Sequence, residues 1–167
     1  MHRNFYALLL VCLAAGCATP LPPANVPHPA SSFASDGLVT QRAVLTARGQ
    51  QFALNGYLAQ SAIGGQRLII TEMFGHVLAD VLVKRDGTVH VMRSSKLLRP
   101  AWIRRYVTAD MQCIFGGAPD ADCPVQMLSA THFVIERRWY KLDLQIVESK
   151  PGPQPQKLFD DTHQEAP

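Results

Sequence analysis

The chain lacks a hydrophobic run long enough to cross a bilayer. A membrane-spanning helix needs ~20 consecutive apolar residues, and the stretch over residues 5–15 supplies about half of that. Pro20, Pro22 and Pro23 follow at once. An N-terminal transmembrane anchor is therefore the weaker interpretation of this segment.

An excess of one charge is also lacking. The sequence has 16 Lys and Arg against 13 Asp and Glu, a formal net charge of +3. Such a balance argues against a nucleic-acid partner, whose binding surfaces are strongly basic. The hydrophobic fraction of 47% is enough for one folded domain with a real core.

Catalytic and metal-binding patterns are missing too. His76 and Asp80 fall four positions apart on one predicted strand, a separation of ~13 Å, which is too far for a hydrogen bond. Ser94 and Ser129 lie outside any nucleophile-elbow pattern, and no converging set of metal ligands is visible. From the sequence we therefore expect a protein that is not an enzyme and that has no metal site and no cofactor. Its histidines are expected to face solvent.

The N terminus has the layout of a bacterial secretory signal. His2 and Arg3 precede an apolar stretch that ends in Leu13-Ala14-Ala15-Gly16-Cys17. Small residues directly before a cysteine resemble the lipobox of bacterial lipoproteins, in which the signal is removed and the cysteine is acylated. The resemblance implies a signal peptide over 1–16 and a lipid anchor at Cys17. An aspartate directly after the lipidated cysteine is typical of inner-membrane retention, and this chain has Ala18 there. The resemblance therefore favours an outer-membrane anchor, with the protein facing the periplasm.

Two cysteines remain in the exported part, Cys113 and Cys123. They flank turn-forming residues and would meet an oxidising compartment. A redox pair usually has two intervening residues, not nine, and no cysteine or histidine stands at zinc-finger spacing. We therefore predict a structural disulfide rather than a redox pair or a metal site.

Proline marks the ends of the folded region. Residues 17–37 hold the lipidated cysteine and a Pro-rich tether, and residues 149–167 contain Pro151, Pro153 and Pro155 before a polar end. Such compositions do not bury a core. We expect a single domain over 38–148, followed by a disordered Pro-rich tail.

Strand patterns dominate that domain. Val77, Ala79, Val81 and Val83 form an apolar face, and Asp86-Gly87 supplies a hairpin turn. About five strands precede a helix and two follow it. The expected fold class is mainly β (α+β), with an antiparallel sheet.

One helix interrupts the strands. Pro100 suits a first helical position. Apolar residues then recur at helical spacing, at Trp102, Ile103, Tyr106, Val107, Met111 and Ile114. The pattern predicts a crossing or lid helix whose aromatic stripe lies on the sheet.

The order of these motifs resembles a known family. The lipobox and tether lead to a Phe74-Gly75 turn, the Asp86-Gly87 hairpin and a helix carrying Ala109-Asp110-Met111-Gln112, and Arg137-Arg138 lies in the closing hairpin. This order resembles bacterial lipoproteins often encoded in aryl-polyene-type gene clusters, which are similar to the LolA/LolB outer-membrane lipoprotein carriers. The resemblance implies a curved antiparallel half-barrel with a helical lid. In place of the protruding apolar loop of LolB, this chain has the shorter Ala62-Ile63-Gly64-Gly65.

A hydrophobic ligand site is expected beneath the helix. Both faces of residues 68–83 are substantially apolar, so that one can pack the helix while the other needs a ligand, another subunit or stronger curvature to cover it. The expected lining residues are Phe74, Val81, Trp102, Tyr106 and Phe133. A fully packed core would produce the same pattern.

A basic cluster lies beside this region. Arg104 and Arg105 belong to it, and we expect them to meet a ligand head group at the rim, with a solvated surface as the alternative. The sequence thus predicts an outer-membrane lipoprotein that binds or transfers an acyl or polyene lipid without catalysis. The alternative is an interaction lipoprotein that scaffolds an envelope or lipid-export assembly through protein partners.

Cys17→Ser should abolish acylation, because serine lacks the sulfur that carries the lipid. The measurement is metabolic labelling with a radioactive fatty acid, with uncleaved precursor or soluble protein expected for the variant. Equal labelling of the variant and the natural protein would exclude a lipid anchor at this residue.

Overall fold

A computed structural model describes residues 36–116 and 123–161. The predicted signal peptide, Cys17 and the tether up to residue 35 lie outside the described residues. So do residues 117–122 and 162–167.

Eight strands in the described part of the chain form one antiparallel sheet. This confirms a mainly β fold, with one strand more than expected after the helix. The strands are β1 (Gly37–Ala47), β2 (Gln50–Ser61), β3 (Gly65–Glu72), β4 (Val77–Val83), β5 (Val89–Ser94), β6 (Val125–Ser129), β7 (His132–Arg137) and β8 (Tyr140–Pro151). The predicted hairpin turn at Asp86-Gly87 joins β4 to β5, and Gly87 adopts a φ of 83°.

The strand order is β5-β4-β3-β2-β1-β8-β7-β6. β1 lies in the middle, paired with β2 on one side and with β8 on the other. β5 and β6 are the two edges, and the chain between them contains the helix. The helix must therefore cross from one edge of the sheet to the other. An open sheet with a helix across it fits a half-barrel.

The crossing helix occupies residues 100–115. It begins as an α-helix at Pro100–Trp102, continues as a π-helix over Ile103–Val107, and ends as an α-helix over Thr108–Phe115. Pro100 takes the position near the start that its missing N–H makes favourable. The sequence pattern predicted the helix but not its π segment.

The helix packs on one face of the sheet, which we call the inner face. The core between them contains residues from the helix and from strands on both sides of β1: Val39, Leu58, Leu68, Ala79, Val81, Val83, Leu98, Ile103, Met111, Ile114, Phe115, Phe133, Ile135, Leu144 and Ile146. Fully burying one such side chain contributes about 1.5–3 kcal/mol. The inner-face core is therefore the main source of stability.

The C-terminal segment covers part of the opposite, outer face. A short 3-10 helix, Gln156–Phe159, follows β8, and Phe159 is buried against Ala59 and Leu82. Gly64 lets this ring approach closely, since a Cβ there would lie 2.5 Å from Phe159 Cγ.

Polar contacts hold the same segment. Arg67 donates a hydrogen bond of 2.9 Å to the carbonyl of Leu158, and Lys84 Nζ lies 2.7 Å from Asp161 Oδ2. Asp80 in turn orients Arg67 through two hydrogen bonds of 2.9 and 2.7 Å. The hydrogen bond from Lys84 lowers the pKa of Asp161, so the ion pair is fully present above the ordinary carboxyl pKa and is lost only as the pH falls through the lowered value.

The prediction of a disordered tail from residue 149 is therefore wrong as far as residue 161. Proline content suggested disorder, but β8 extends to Pro151 and the pair Leu158-Phe159 supplies apolar surface that the outer face can bury. The folded domain is correspondingly longer than 38–148. Within the second apolar face of residues 68–83, this segment covers Leu82.

A disulfide joins Cys113 and Cys123, with the two Cα atoms 5.6 Å apart, as predicted. Cys113 lies in the last turns of the helix, and Cys123 lies two positions before Val125, the first residue of β6. The bond therefore fastens the C-terminal end of the helix to one edge of the sheet.

Phe159→Ala should lower the free energy of unfolding by about 3 kcal/mol, since buried Phe→Ala changes typically cost 3–5 kcal/mol. Urea denaturation of the domain measures the change. Lys157→Ala, an exposed neighbour in the same 3-10 helix, is the matched control and should change little. Equal stability of the two variants would contradict the docked position of this segment.

Candidate ligand-binding site

A cavity of about 70 Å³ lies between the crossing helix and the inner face of the sheet. Its wall is mainly aliphatic and aromatic. The apolar lining residues come from β1, β2, β3, β8, the helix and the segment before it: Ala43, Leu45, Leu54, Leu68, Ile70, Leu98, Trp102, Val107, Met111, Ile114, Phe115, Tyr140, Leu142 and Leu144. Such a space favours an apolar occupant, because no charged group is free to solvate a polar one.

The volume limits what the cavity can hold in this conformation. It is about half of the roughly 150 Å³ of an apolar protein cavity that takes up benzene. A whole acyl chain would therefore enter only if the helix or its side chains moved away from the sheet. Met111 in the wall is flexible and can change rotamer at little cost.

The polar residues in the cavity wall are Gln41, Asn55 and Asp110. Gln41 is only 5% exposed. It lies over Gly56, its partner on β2, where a Cβ would come within 2.5 Å of Gln41 Nε2. Glycine at position 56 thus makes the space that the Gln41 side chain occupies.

Asp110 anchors the helix to the β7–β8 hairpin. Arg137 donates a hydrogen bond of 2.8 Å from Nε to the carboxylate oxygen Oδ1, and its Nη2 lies 2.7 Å from the same oxygen. The hydroxyl of Tyr140 donates to the other oxygen, Oδ2. Arg137 ends β7 and Tyr140 begins β8. Both oxygens of Asp110 are therefore engaged in holding the helix on the sheet.

Burial changes the titration of this network. It raises the pKa of Asp110, and the hydrogen bonds from Tyr140 and Arg137 offset part of that rise. Burial and the bond to Asp110 both raise the pKa of Tyr140, which remains a neutral donor. All the polar groups of this network hold the helix on the hairpin, and none of them is free to react with a ligand.

Three aromatic rings surround the same end of the cavity. Trp102 lies 5.6 Å from Tyr106 and 5.2 Å from Tyr140 between ring centroids, and Tyr106 lies 6.0 Å from Tyr140. These tilted and edge-on pairs are in the favourable range for aromatic contacts. Only Trp102 and Tyr140 reach the cavity wall.

The predicted lining residues are thus only partly brought together. Trp102 lines the cavity and Tyr106 stands behind it in the aromatic group. Val81 and Phe133 are fully buried in the inner-face core but lie outside the cavity wall. They pack the space around the site instead of facing it.

Phe74 was placed wrongly by the sequence pattern. It is 84% exposed, beside Met73 at 69%, in the turn between β3 and β4. The apolar positions Leu68 and Ile70 alternate in the sequence as far as Phe74, whereas β3 ends at Glu72 and Gly75 turns the chain with a φ of 86°. We call Met73-Phe74 the apolar tip.

The two predicted rim arginines lie on the exposed side of the helix. Arg104 donates a hydrogen bond to the carbonyl of Val89 in β5, and Arg105 lies 5.5 Å above the ring of Tyr106. Arg104 therefore fastens the helix to the edge strand. Contact of either arginine with a lipid head group stays a prediction.

Gln41 and Asp110 were missed as site residues. The signals were present: Gln41 interrupts the apolar alternation of Val39, Ala43 and Leu45 on β1. Asp110 falls seven positions after Ile103, on the same apolar stripe of the helix. A polar residue at an otherwise buried position indicates a buried partner or a binding site.

No family model matches the chain, and no curated protein matches it either. Within residues 36–116 and 123–161, no group of three or more His, Cys, Asp or Glu side chains could hold a metal ion. None of the helices in the described ranges is both long and apolar enough to span a bilayer.

Asp110→Asn should destabilise the domain by about 1–3 kcal/mol, because the asparagine NH2 group replaces an acceptor oxygen and leaves a donor of Arg137 or Tyr140 without its partner. Since the pKa of Asp110 is raised in the folded state, its contribution to stability is full below the ordinary carboxyl pKa and falls as the pH rises through the raised value. The stability gap between the natural protein and the variant should therefore narrow as the pH increases. Thermal unfolding across a pH series measures it.

Glu136→Gln is the matched control, because it removes one exposed carboxyl from the same hairpin. Its stability difference should be small, because the side chain is exposed. A gap for Asp110→Asn that widens with rising pH would show that Arg137, not burial, governs the titration of this carboxyl.

Proposed function

We propose that this protein is an outer-membrane lipoprotein, facing the periplasm, that binds or transfers a hydrophobic acyl or polyene ligand without covalent chemistry. The observation that carries the proposal is the apolar cavity between the crossing helix and the inner face. Apolar burial contributes about 25 cal/mol per Å². Such a wall can retain a hydrocarbon ligand without a charged anchor.

The construction of the lid supports this function. The helix is fastened near its start by Arg104 to β5, in its middle by Asp110 to the hairpin, and near its end by the disulfide. Trp102 directly precedes the π segment and Val107 ends it, and both residues line the cavity. Short π segments occur most often at functional sites.

The cellular part of the proposal rests on the N-terminal sequence. Leu13-Ala14-Ala15-Gly16-Cys17 is similar to a lipobox, and the prolines after it suit an extended spacer. An eight-stranded sheet crossed by one helix is compatible with a LolB-like half-barrel. A lipid-anchored carrier of that shape would hold its cavity near the membrane that supplies its ligand.

A second candidate is favoured by the apolar tip. Met73 and Phe74 project into solvent next to each other, 69% and 84% exposed. Paired exposed apolar side chains are a common feature of protein-interaction sites. As a scaffold, the lipoprotein would bind an envelope protein through this tip and use the inner face only as its core.

A cavity-filling variant tests the carrier function. Ala43→Phe adds a ring at the cavity wall and should weaken binding of a fluorescent fatty acid at least tenfold, because it occupies the ligand volume. Fluorescence titration of the soluble domain measures the affinity. Val44→Phe, the same change at the adjacent exposed residue, should leave the affinity unchanged.

Circular dichroism shows whether both variants remain folded, since overpacking alone can cost 1–3 kcal/mol. Absence of binding by the natural domain at micromolar probe would contradict the carrier function. If Phe74→Ser then abolished crosslinking to an envelope protein in cells, the scaffold function would replace it.

A further inference from the structure

The two halves of the crossing helix are buried to very different degrees. Over residues 100–107, which we call the flap, only Ile103 is buried. Over residues 108–115, six of the eight residues are buried. A segment with few buried side chains opens at a lower free energy than one that is deeply packed. The flap is therefore the part of the helix that separates most easily from the sheet.

The polar fastenings of the helix are divided in the same way. The half over 108–115 contains Asp110 with its network and one cysteine of the disulfide. Two glutamine contacts add to these. Gln112 Nε2 donates a hydrogen bond of 3.0 Å to Gln66 Oε1 on β3, and Gln66 Nε2 donates one of 3.5 Å to the carbonyl of Phe115. This half is thus tied to β3, to the β7–β8 hairpin and to the start of β6.

The flap has a single polar contact with the sheet among the described residues, the hydrogen bond from Arg104 to the carbonyl of Val89. Arg104 is exposed, so water competes for this bond. The apolar contacts of the flap with the sheet include Ile103, which is fully buried, and Trp102, which is half-buried against Tyr140. These few contacts are the ones that an opening of the flap breaks.

The two halves meet at Thr108, where the helix changes from π to α. The N–H of Thr108 donates to the carbonyl of Ile103, five positions earlier, and its hydroxyl donates to the carbonyl of Arg104 at 2.7 Å. A hydroxyl bonded to the carbonyl four positions earlier often bends a helix. The change in helix geometry thus coincides with the change in burial, and it marks a hinge.

We infer that the flap opens about Thr108 while residues 108–115 stay on the sheet, and that this opening admits the ligand to the cavity. The inference rests on the proposed ligand-binding function and deepens it by assigning the entrance. Trp102 and Val107 are the wall residues that the flap carries away. The closed cavity of about 70 Å³ is too small for an acyl chain, whereas the opened one is continuous with solvent.

Two isoleucines of the inner-face core distinguish opening of the flap from general loosening. Ile103 lies in the flap, whereas Ile135 lies on β7 opposite Val125 and outside the cavity wall, and both are 0% exposed. Either Ile→Ala change should lower the global stability, because it leaves a cavity in the core. Only Ile103→Ala should also speed amide hydrogen exchange at residues 103–107, by about tenfold or more, because its contacts are broken in the open state.

The same factor should appear in the rate of ligand entry. Stopped-flow mixing of the soluble domain with a fluorescent fatty acid measures the association rate, which is proportional to the open fraction when binding requires the open state. Ile103→Ala should raise this rate by the factor by which it raises exchange of the flap. Ile135→Ala should leave the association rate unchanged.

The outcomes separate the inference from the function on which it rests. Equal acceleration of flap exchange in both variants, or none in Ile103→Ala, overturns the independent opening. Faster exchange with an unchanged association rate overturns the flap as the entrance and leaves the cavity a ligand site. Absence of fatty-acid binding by the natural domain overturns the proposed function, while the exchange comparison still decides the opening because it needs no ligand.

A second pair of variants covers the case in which Ile103→Ala does not fold. Arg104→Ala removes the hydrogen bond from the flap to Val89 and should speed exchange at residues 103–107. Arg105→Ala removes the same charge, but its contact with Tyr106 lies within the flap, so exchange should not change. Equal exchange in these two variants overturns the inference.

Discussion

The whole domain depends on covering the inner face of an open sheet with a single helix. The helix follows edge strand β5 and precedes edge strand β6, so its path across the sheet is dictated by chain connectivity. Three unlike contacts hold it there: a hydrogen bond from Arg104, the buried Asp110 network and the Cys113–Cys123 disulfide. Sheets bury an apolar face against another layer of structure, and here that layer is only one helix wide.

One helix covers the sheet incompletely, and the cavity is the result. It lies beside the π segment of the helix and beside Gly56 on β2, whose missing side chain makes room for Gln41 in the cavity wall. The remaining inner face is filled by large side chains such as Phe133 and Ile135, which are fully buried. The space is thus local and built from particular residues, with Gln41 and Asp110 as polar groups in an apolar wall.

Sequence patterns predicted the features that depend on local periodicity. Alternating residues gave the strands around Val77–Val83, and helical spacing from Pro100 onward gave the helix. The disulfide was predicted from the expected oxidising compartment and from the two cysteines, Cys113 and Cys123, that remain in the folded region. Patterns failed at strand ends and where a distant part of the chain provides the packing partner. Phe74 fits the alternation but falls beyond the end of β3. Phe159 lies in a proline-rich stretch, and the surface on which it packs is made by β2 and β4.

The cavity itself could not be predicted from periodicity. Whether Trp102 or Phe133 faces a void depends on how the helix lies across the sheet, and both residues occupy equally apolar positions in the sequence. Membership of a LolB-like family and a lipid ligand therefore remain proposals, supported by the motif order and by the cavity. The position of Gln41 in β1 could be recognised as an interruption of the apolar pattern, but its place in a cavity wall could not.

The central position of β1 has a consequence for the order of folding. β1 pairs with the adjacent β2 and also with β8, whose register brings Pro151 opposite Gly37. Contacts between such distant segments form late, because the intervening loop must close first. A chain that emerges with its N terminus first, as during synthesis, exposes one edge of β1 until β8 has followed. Unpaired edges invite association with other chains. The sheet is thus completed in its middle, not at its rim, and the solubility of the folding domain depends on its last strand.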